Sequence, residues 1–342
     1  AWTVLEADWV TTTDGTGVVH TAVMYGEDDY NLGMAAGLPA HHTVGMDGAF
    51  LTGVHPQLDE RYVKECDQTI IELLSAAGGS NGKGPESGLL YREKAYLHDY
   101  PHCWRTDHPL LYYAMDSWFV RMTEVKERLL EFNAEVEWAP DWVGEGRFGE
   151  WLRNVKDWAI SRERYWGTPL PVWRDDENNM KCIGSIAELQ AEIAKAVAAG
   201  IENPECPDDV DLHRPVVDGY TLLSDNGKPM HREPFVMDCW FDSGCAPFAQ
   251  WHYPFENKNK IDNNEAFPAD YIAEGVDQTR GWFYTLHAIA TTVFKSIAYK
   301  NVISNGLVLD KNGQKMSKRL GNAVDPFKTI SDFGPDATRW YM

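Results

Sequence analysis

Basic residues are scarce: 31 Lys and Arg face 52 Asp and Glu, a net charge of −21. Such a chain does not work by coating itself in nucleic acid or anionic lipid, whose phosphates repel it. Screening confines surface fields to about 8–10 Å, so a local basic site remains open to it. No apolar run approaches the ~20 residues of a membrane-spanning helix, and no charged-then-apolar leader opens the chain. The six cysteines (Cys66, Cys103, Cys182, Cys206, Cys239, Cys245) form no C-x-x-C pair, which suits reduced thiols in a soluble cytoplasmic protein. The phosphate-loop template G-x-x-x-x-G-K-[ST] fails around Lys83, because Ala77 stands for its first Gly and Gly84 for its hydroxyl. Internal repeats are lacking too. What is there is 342 residues, 44% hydrophobic with 14 Trp, enough for packed cores in roughly two domains of ~150 residues.

Residues 1–65 read as short strands and loops, 66–77 as a helix and 78–85 as a flexible linker. Trp118, Met122, Val125, Leu129 and Phe132 predict one helix capped by Asp116 or Ser117. Ser185 and Glu188 predict a capping box ahead of the stripe Ile186, Leu189, Ile193 and Val197. The apolar runs 235–241, 271–273 and 302–309 predict strands, with an apolar helix over 281–298 before the last. Strands alternating with a helix predict a parallel α/β sheet. The chain opens in a strand-like run and closes two turns into a helix begun at Gly334-Pro335, so both ends are expected to be cuts.

Ligands of such sheets sit beyond the carboxyl ends of the strands. There, Trp240-Phe241-Asp242-Ser243-Gly244 offers an aromatic wall, a carboxylate and a tight turn. Glu274-Gly275-Val276-Asp277-Gln278 offers close backbone approach at Gly275, with acidic and amide groups able to hold an ammonium and ribose hydroxyls. Asp310-Lys311-Asn312-Gly313 predicts a tight reversal that delivers Lys315-Met316-Ser317-Lys318-Arg319 on a loop. From Asp310 to Lys328 five cations oppose two anions, a local +3. Clustered ammonium groups can follow a triphosphate into a transition state and neutralise a leaving pyrophosphate. Taken alone, the lysines also fit a solvated basic turn.

Together these segments resemble the class I aminoacyl-tRNA synthetases. The Lys315-to-Arg319 segment is similar to their KMSKS signature, with Arg319 for the last Ser. Ile160-Ser161-Arg162-Glu163-Arg164-Tyr165-Trp166-Gly167, Trp240 to Gly244 and Gly275 to Phe283 resemble the Ile/Val/Leu branch. The Trp-Phe-Asp-Ser-Gly form is closer to isoleucine-specific than to valine-specific members. The resemblance spans nearly the whole chain. It implies an α/β fold: the second half of a Rossmann-like catalytic domain (234–342), a connective region (101–233), a helix and linker (66–100) and part of a β-rich editing domain (1–65). It implies ATP with Mg2+ and isoleucine as substrates, tRNA(Ile) as partner of the whole enzyme, and a monomer away from membranes. Lys315 and Lys318 would stabilise the phosphates, with Met316 and Ser317 in the same nucleotide-binding loop. Glu274, Gly275, Asp277 and Gln278 would hold the adenylate, and Trp240 and Trp282 would line the amino-acid pocket. Gly15 to Ala22 followed by Gly26-Glu27-Asp28-Asp29 looks like part of the editing domain. There Asp29 would hold the amino group of a misacylated valine and His20 would line the site. By the residues alone, His20 packed between strands and a helix cap at Asp28-Asp29 is the plainer account.

The family pattern has gaps here. His-x-Gly-His is absent, as is the Thr-rich editing wall, and Val23 stands where the family carries proline. The expectation is a fragment inactive in adenylate formation by itself. Cys103-Trp104-Arg105-Thr106 lacks the second thiol of a C-x-x-C, and His98 and His102 flank the helix-breaking Pro101. Even with His108, no zinc site is expected. The alternatives are a stand-alone misacyl-tRNA deacylase using His20 and Asp29, the equivalent piece of a valine-specific enzyme, and a decayed, non-enzymatic paralogue.

Overall fold

The computed structural model describes residues 3–13, 15–76, 90, 92–95, 97–103, 106–163, 166–316 and 321–341. They form two compact units, Ala1–Asp116 and Ser117–Met342. No described helix is long and apolar enough to cross a membrane.

In the first unit, helix α1 (Glu27–Ala35) starts with Glu27, Asp28 and Asp29, where unpaired N–H groups favour negative charge. Helix α2 (Asp67–Ala76) forms where the sequence predicts it, up to the edge of the described residues. The strands predicted in 1–65 do not form among the described residues: pairing there is limited to the isolated bridges Val44 to Phe50 and Ala49 to Tyr62. Turns at Gly45, Gly48 and Gly53 interrupt the apolar runs before a ladder can grow. Tyr25 organises the segment instead. Its hydroxyl accepts the N–H groups of Thr43 (2.6 Å) and Val44 (2.8 Å), and the ring of His42 stacks on Tyr113 at 4.3 Å.

In the second unit, the helix predicted from residue 116 or 117 starts later. Strand β1 (Phe119–Val120) and a 3-10 turn (Met122–Val125) precede helix α3 (Lys126–Ala134). The Ser161 hydroxyl draws the start of the segment into strand pairing, bonding Ser117 Oγ at 2.8 Å and accepting the Trp118 N–H at 2.9 Å. Next come β2 (Glu137–Ala139), a π-helical turn (Val143–Phe148), α4 (Gly149–Arg153), β3 (Trp158–Ala159) and β4 (Ser161–Arg162). Strand β3 pairs antiparallel with β1.

Strands β5 (Val172–Arg174), β6 (Met180–Cys182), β7 (Leu222–Leu223) and β8 (Pro229–Arg232) make an antiparallel sheet in the order β6-β5-β8-β7. Helix α5 (Ile186–Ala198) shares the core formed by Trp173, Leu189, Ile193 and Leu222. Ser185 caps α5 as predicted, accepting the Glu188 N–H at 3.1 Å, but the Glu188 carboxylate reaches back to the Gly184 N–H (2.7 Å). Val197 stays exposed and Ala196 completes the buried stripe.

The chain then runs through β9 (Val236–Met237), α6 (Cys239–Ala249), α7 (Lys258–Asp262), β10 (Ala269–Gly275), α8 (Trp282–Ile289), β11 (Tyr299–Asn305), α9 (Pro326–Phe333) and α10 (Pro335–Tyr341). The predicted parallel α/β pairing is present: β10 and β11 pair in register from Ala269 with Tyr299 to Gly275 with Asn305. The third strand, however, is β2, giving the order β10-β11-β2. The run 235–241 is not a strand of this sheet. Only Val236–Met237 is extended, antiparallel to β4, because Asp238 accepts the Trp240 N–H (3.1 Å) and starts a helix. The helix predicted over 281–298 ends at Ile289 and continues as a π-helical turn to Phe294. Residues 283–289 are all buried, as an apolar helix surface requires. Trp138, Phe148, Phe283 and Tyr299 interlock beneath the sheet, with Trp138 edge-on to Phe283 at 5.6 Å.

Candidate active site

At the carboxyl end of β10 the chain makes one 3-10 turn, Val276–Arg280, and enters α8 through Gly281. A Cβ on Gly275 would lie 2.6 Å from Asp277 Oδ1, so the missing side chain lets that carboxylate fold back over the strand end. Gln278 Nε2 donates to Asp277 Oδ2 (3.2 Å), and its Oε1 accepts the Trp282 N–H (3.0 Å). A Cβ on Gly281 would lie 2.6 Å from Gln278 Oε1 and 3.3 Å from Trp240 Cη2, which places the Trp240 ring against the turn. Trp282 Nε1 donates to Ser243 O at 3.0 Å. Helices α6 and α8 come this close because Gly244 has no side chain: a Cβ there would meet Ile289 Cδ1 at 2.7 Å. Trp240, Gln278 and Trp282 therefore meet at one junction beside Asp277, with Trp240 still 41% exposed. Glu274 is half-buried, paired in register with Ser304 of β11.

The segment 240–244 reaches this junction from the first turns of α6, not from a strand end followed by a tight turn. The residue that makes it so escaped the sequence reading. Asp238, 5% exposed, also accepts from Arg162 (2.7 Å) and Trp158 Nε1 (3.3 Å). Arg162 lies in a segment read for its family likeness with no role attached to it.

The reversal at 310–313 forms as predicted: Asp310 O accepts the Gly313 N–H at 2.9 Å, and Leu309 bridges Lys315. Asp310 Oδ1 accepts the N–H groups of Asn312 and Gln314, and Asn322 Nδ2 donates to Oδ2 at 2.9 Å. The Asn322 bond, then the two backbone bonds, hold the Asp310 carboxyl below its ordinary range. Lys315 is exposed and Met316 half-buried, while Ser317, Lys318 and Arg319 lie outside the described residues. If the three strand-end segments face one ligand, Trp240, Glu274 and Lys318 should meet; the described part of that expectation is Trp240 on the turn that follows Glu274. Two cavities lie elsewhere: about 970 Å³ against Trp138 and Ile303, and about 600 Å³ between Ile186 and Phe255.

In the first unit, Asp29 sits in the opening turn of α1 and its Oδ2 accepts the Ala22 N–H at 3.2 Å. This holds the 20–22 segment against the helix start, with His20 exposed. The N-cap itself is Gly26, which has no side chain to cap with. Val23 packs where a Cβ on Gly33 would lie, 2.5 Å away. His98 Nδ1 lies 2.9 Å from Asp99 O and His102 Nδ1 lies 2.8 Å from Tyr100 O. Among the described residues no group of three or more His, Cys, Asp or Glu could hold a metal ion.

Residues 11–342 match the family described as tRNA synthetases class I (I, L, M and V), and the chain belongs to it. Within that class it is similar to isoleucine–tRNA ligases. It is 52% identical to that of Cytophaga hutchinsonii over 368 residues, covering 100% of this chain and 32% of that protein. It is 50% identical to that of Clostridium novyi over 343 residues, covering 100% of this chain and 31% of that one. The chain thus spans about a third of the length of these relatives. Mycobacterium tuberculosis methionyl-tRNA synthetase in complex with methionyl-adenylate superposes with TM-score 0.42 at 18% identity, over 71% of this chain and 36% of that one.

Proposed function

We propose that the chain is the part of an isoleucine-specific tRNA synthetase that holds the aminoacyl-adenylate. The junction of Trp240 and Trp282 with Gln278 and Asp277, at the end of a parallel strand, carries this reading. In the reaction, a carboxylate oxygen of isoleucine attacks the α-phosphate of ATP with Mg2+, the bond to pyrophosphate breaks, and the mixed anhydride forms. The acyl group then passes to tRNA(Ile). Asp277 and Glu274 oppose the α-ammonium, Gln278 reaches the ribose hydroxyls, and Gly275 permits close approach. Trp240 and Trp282 wall the aliphatic side chain. Lys315 and Lys318, with Met316 and Ser317 between them in the sequence, neutralise the departing pyrophosphate.

On this reading 1–65 belongs to the editing domain, 66–100 is a helix and linker, 101–233 is the connective region, and 234–342 carries the nucleotide site of a cytoplasmic, monomeric enzyme. Asp29 holds the amino group of misattached valine, with His20 at the rim. Such a site is needed because one methylene changes pocket affinity by only about 1–3 kcal/mol, a figure drawn from this same enzyme family.

Binding of isoleucyl-sulfamoyladenosine, an adenylate analogue, tests the reading. Asp277→Ala should weaken it about tenfold, equivalent to ~1.4 kcal/mol, and unchanged affinity would refute the assignment. Because the sequence holds no His-x-Gly-His, these 342 residues alone should catalyse no isoleucine-dependent pyrophosphate exchange. A measurable exchange rate would show that they carry a complete ATP site.

A further inference from the structure

The turn that carries Asp277 and Gln278 is held from a distant part of the chain. Thr279 is fully buried at its centre, where its Oγ1 donates to Val276 O (2.8 Å) and accepts from Arg147 Nε (2.9 Å). Arg147 stands 132 positions earlier, on the π-helical turn Val143–Phe148. That turn is itself pinned: Phe148 is fully buried, and a Cβ on Gly144 would lie 2.3 Å from Trp138 Cδ1. A second bond closes the circuit. Arg280 donates to Arg147 O at 2.8 Å while its guanidinium stacks 4.6 Å over the Trp151 ring. Arg147 thus grips two consecutive residues, Thr279 by its side chain and Arg280 by its carbonyl. The positive charge of Arg147 acts against that of Arg280, and the Glu150 carboxylate acts in its favour. Glycines bound the turn at Gly275 and Gly281, and neither contributes a side chain of its own to hold it.

We infer that Arg147 is a positioning residue: by bracing Thr279 and Arg280 it fixes where Asp277 and Gln278 stand. The inference rests on the adenylate reading for what those two residues bind, and adds a residue that makes no ligand contact of its own. The ammonium and ribose hydroxyls that Asp277 and Gln278 would hold are unchanged between bound substrate and transition state, so displacing those two residues should raise KM and spare kcat. In the longest natural protein that carries this chain, Arg147→Ala should raise the KM for isoleucine about tenfold in pyrophosphate exchange, with kcat within about twofold. Arg147→Lys, which keeps one donor for Thr279, should recover most of the loss. In the same protein without ligand, amide exchange over residues 276–282 should speed up about tenfold in Arg147→Ala. Unchanged exchange in that segment overturns the inference, as does a lowered melting temperature with KM untouched. Faster exchange in the variant, with no isoleucine-dependent activity in the unsubstituted protein, would instead sink the adenylate reading and leave the brace standing.

Discussion

Asp238→Ala should destabilise the second unit by roughly 3 kcal/mol and weaken adenylate-analogue binding with it. The carboxylate does three jobs from a nearly water-free position. It caps α6 through the Trp240 N–H, pairs with Arg162, and accepts from Trp158 Nε1. A lost cap costs about 1 kcal/mol, and a buried donor left without its acceptor costs about 1–3 kcal/mol. Arg162 is partly exposed and keeps its bonds to Ala159 O and Ser161 O. Its share therefore sits at the low end, below the full cost of breaking a buried pair. The effect reaches the site because the first turn of α6 carries Trp240. Asp238→Asn, which keeps an acceptor for the cap but drops the charge, should fall between the two. For a unit of this size the alanine variant should melt roughly 6–12 °C lower. A shift under about 2 °C would mean that the cap and the ion pair are dispensable.

How much of this could be read from the residues follows from which interactions leave a periodic trace. The pairing of β10 with β11 was legible because their apolar runs alternate with a buried helix. The third strand was not: β2 has three residues, of which only Trp138 is buried. The run 235–241 looked like a strand because hydrophobicity alone cannot tell a short buried strand from the start of a helix. Asp238, taken as one more residue of that strand, is the capping residue that decides it. The same weakness hid the start of α3, where Ser161, 44 positions away from Ser117, recruits residues that the stripe assigned to a helix. The candidate site was legible in its chemistry. Glu274 to Trp282 and the lysine loop concentrate charge and glycine within short stretches, and their likeness to one family is strong. Its supports were not, since Arg147 to Thr279 and Arg162 to Asp238 join residues 132 and 76 positions apart. Charge pattern did not hint at Asp310 either, because as an acid inside a basic segment it counts only as one of the two charges subtracted from five cations to leave +3. In the fold its carboxylate accepts from Asn312, Gln314 and Asn322 together.

His287 gives the second large expectation, a loss of stability on mild acidification. It is fully buried among Phe148 and Tyr299, and its Nε2 lies 2.9 Å from Leu129 O, the geometry of an N–H donor. Nδ1 has no partner, so a second proton would place an unpaired charge in the core. Burial pushes the imidazole down to about 4 from an ordinary value of 6.5. Between those two values the unfolded chain binds a proton that the folded chain refuses. Stability from this residue is complete above about pH 6.5. It falls as the pH drops and levels off near pH 4, for a total loss of about 3 kcal/mol. The hydrogen-bonded aspartates whose pKa is lowered, such as Asp310 and Asp157, surrender their contribution only below the ordinary 3.8, so the two windows separate. His287→Gln keeps a donor for Leu129 O but cannot titrate. Urea unfolding measured from pH 7.5 to 4.5 should fall steeply for the unsubstituted protein and about one proton less steeply for the variant, whatever their offset at neutral pH. Parallel profiles would show that the core admits the charged ring at little cost, and α8 would then be far less tightly packed behind Trp282 than its complete burial indicates.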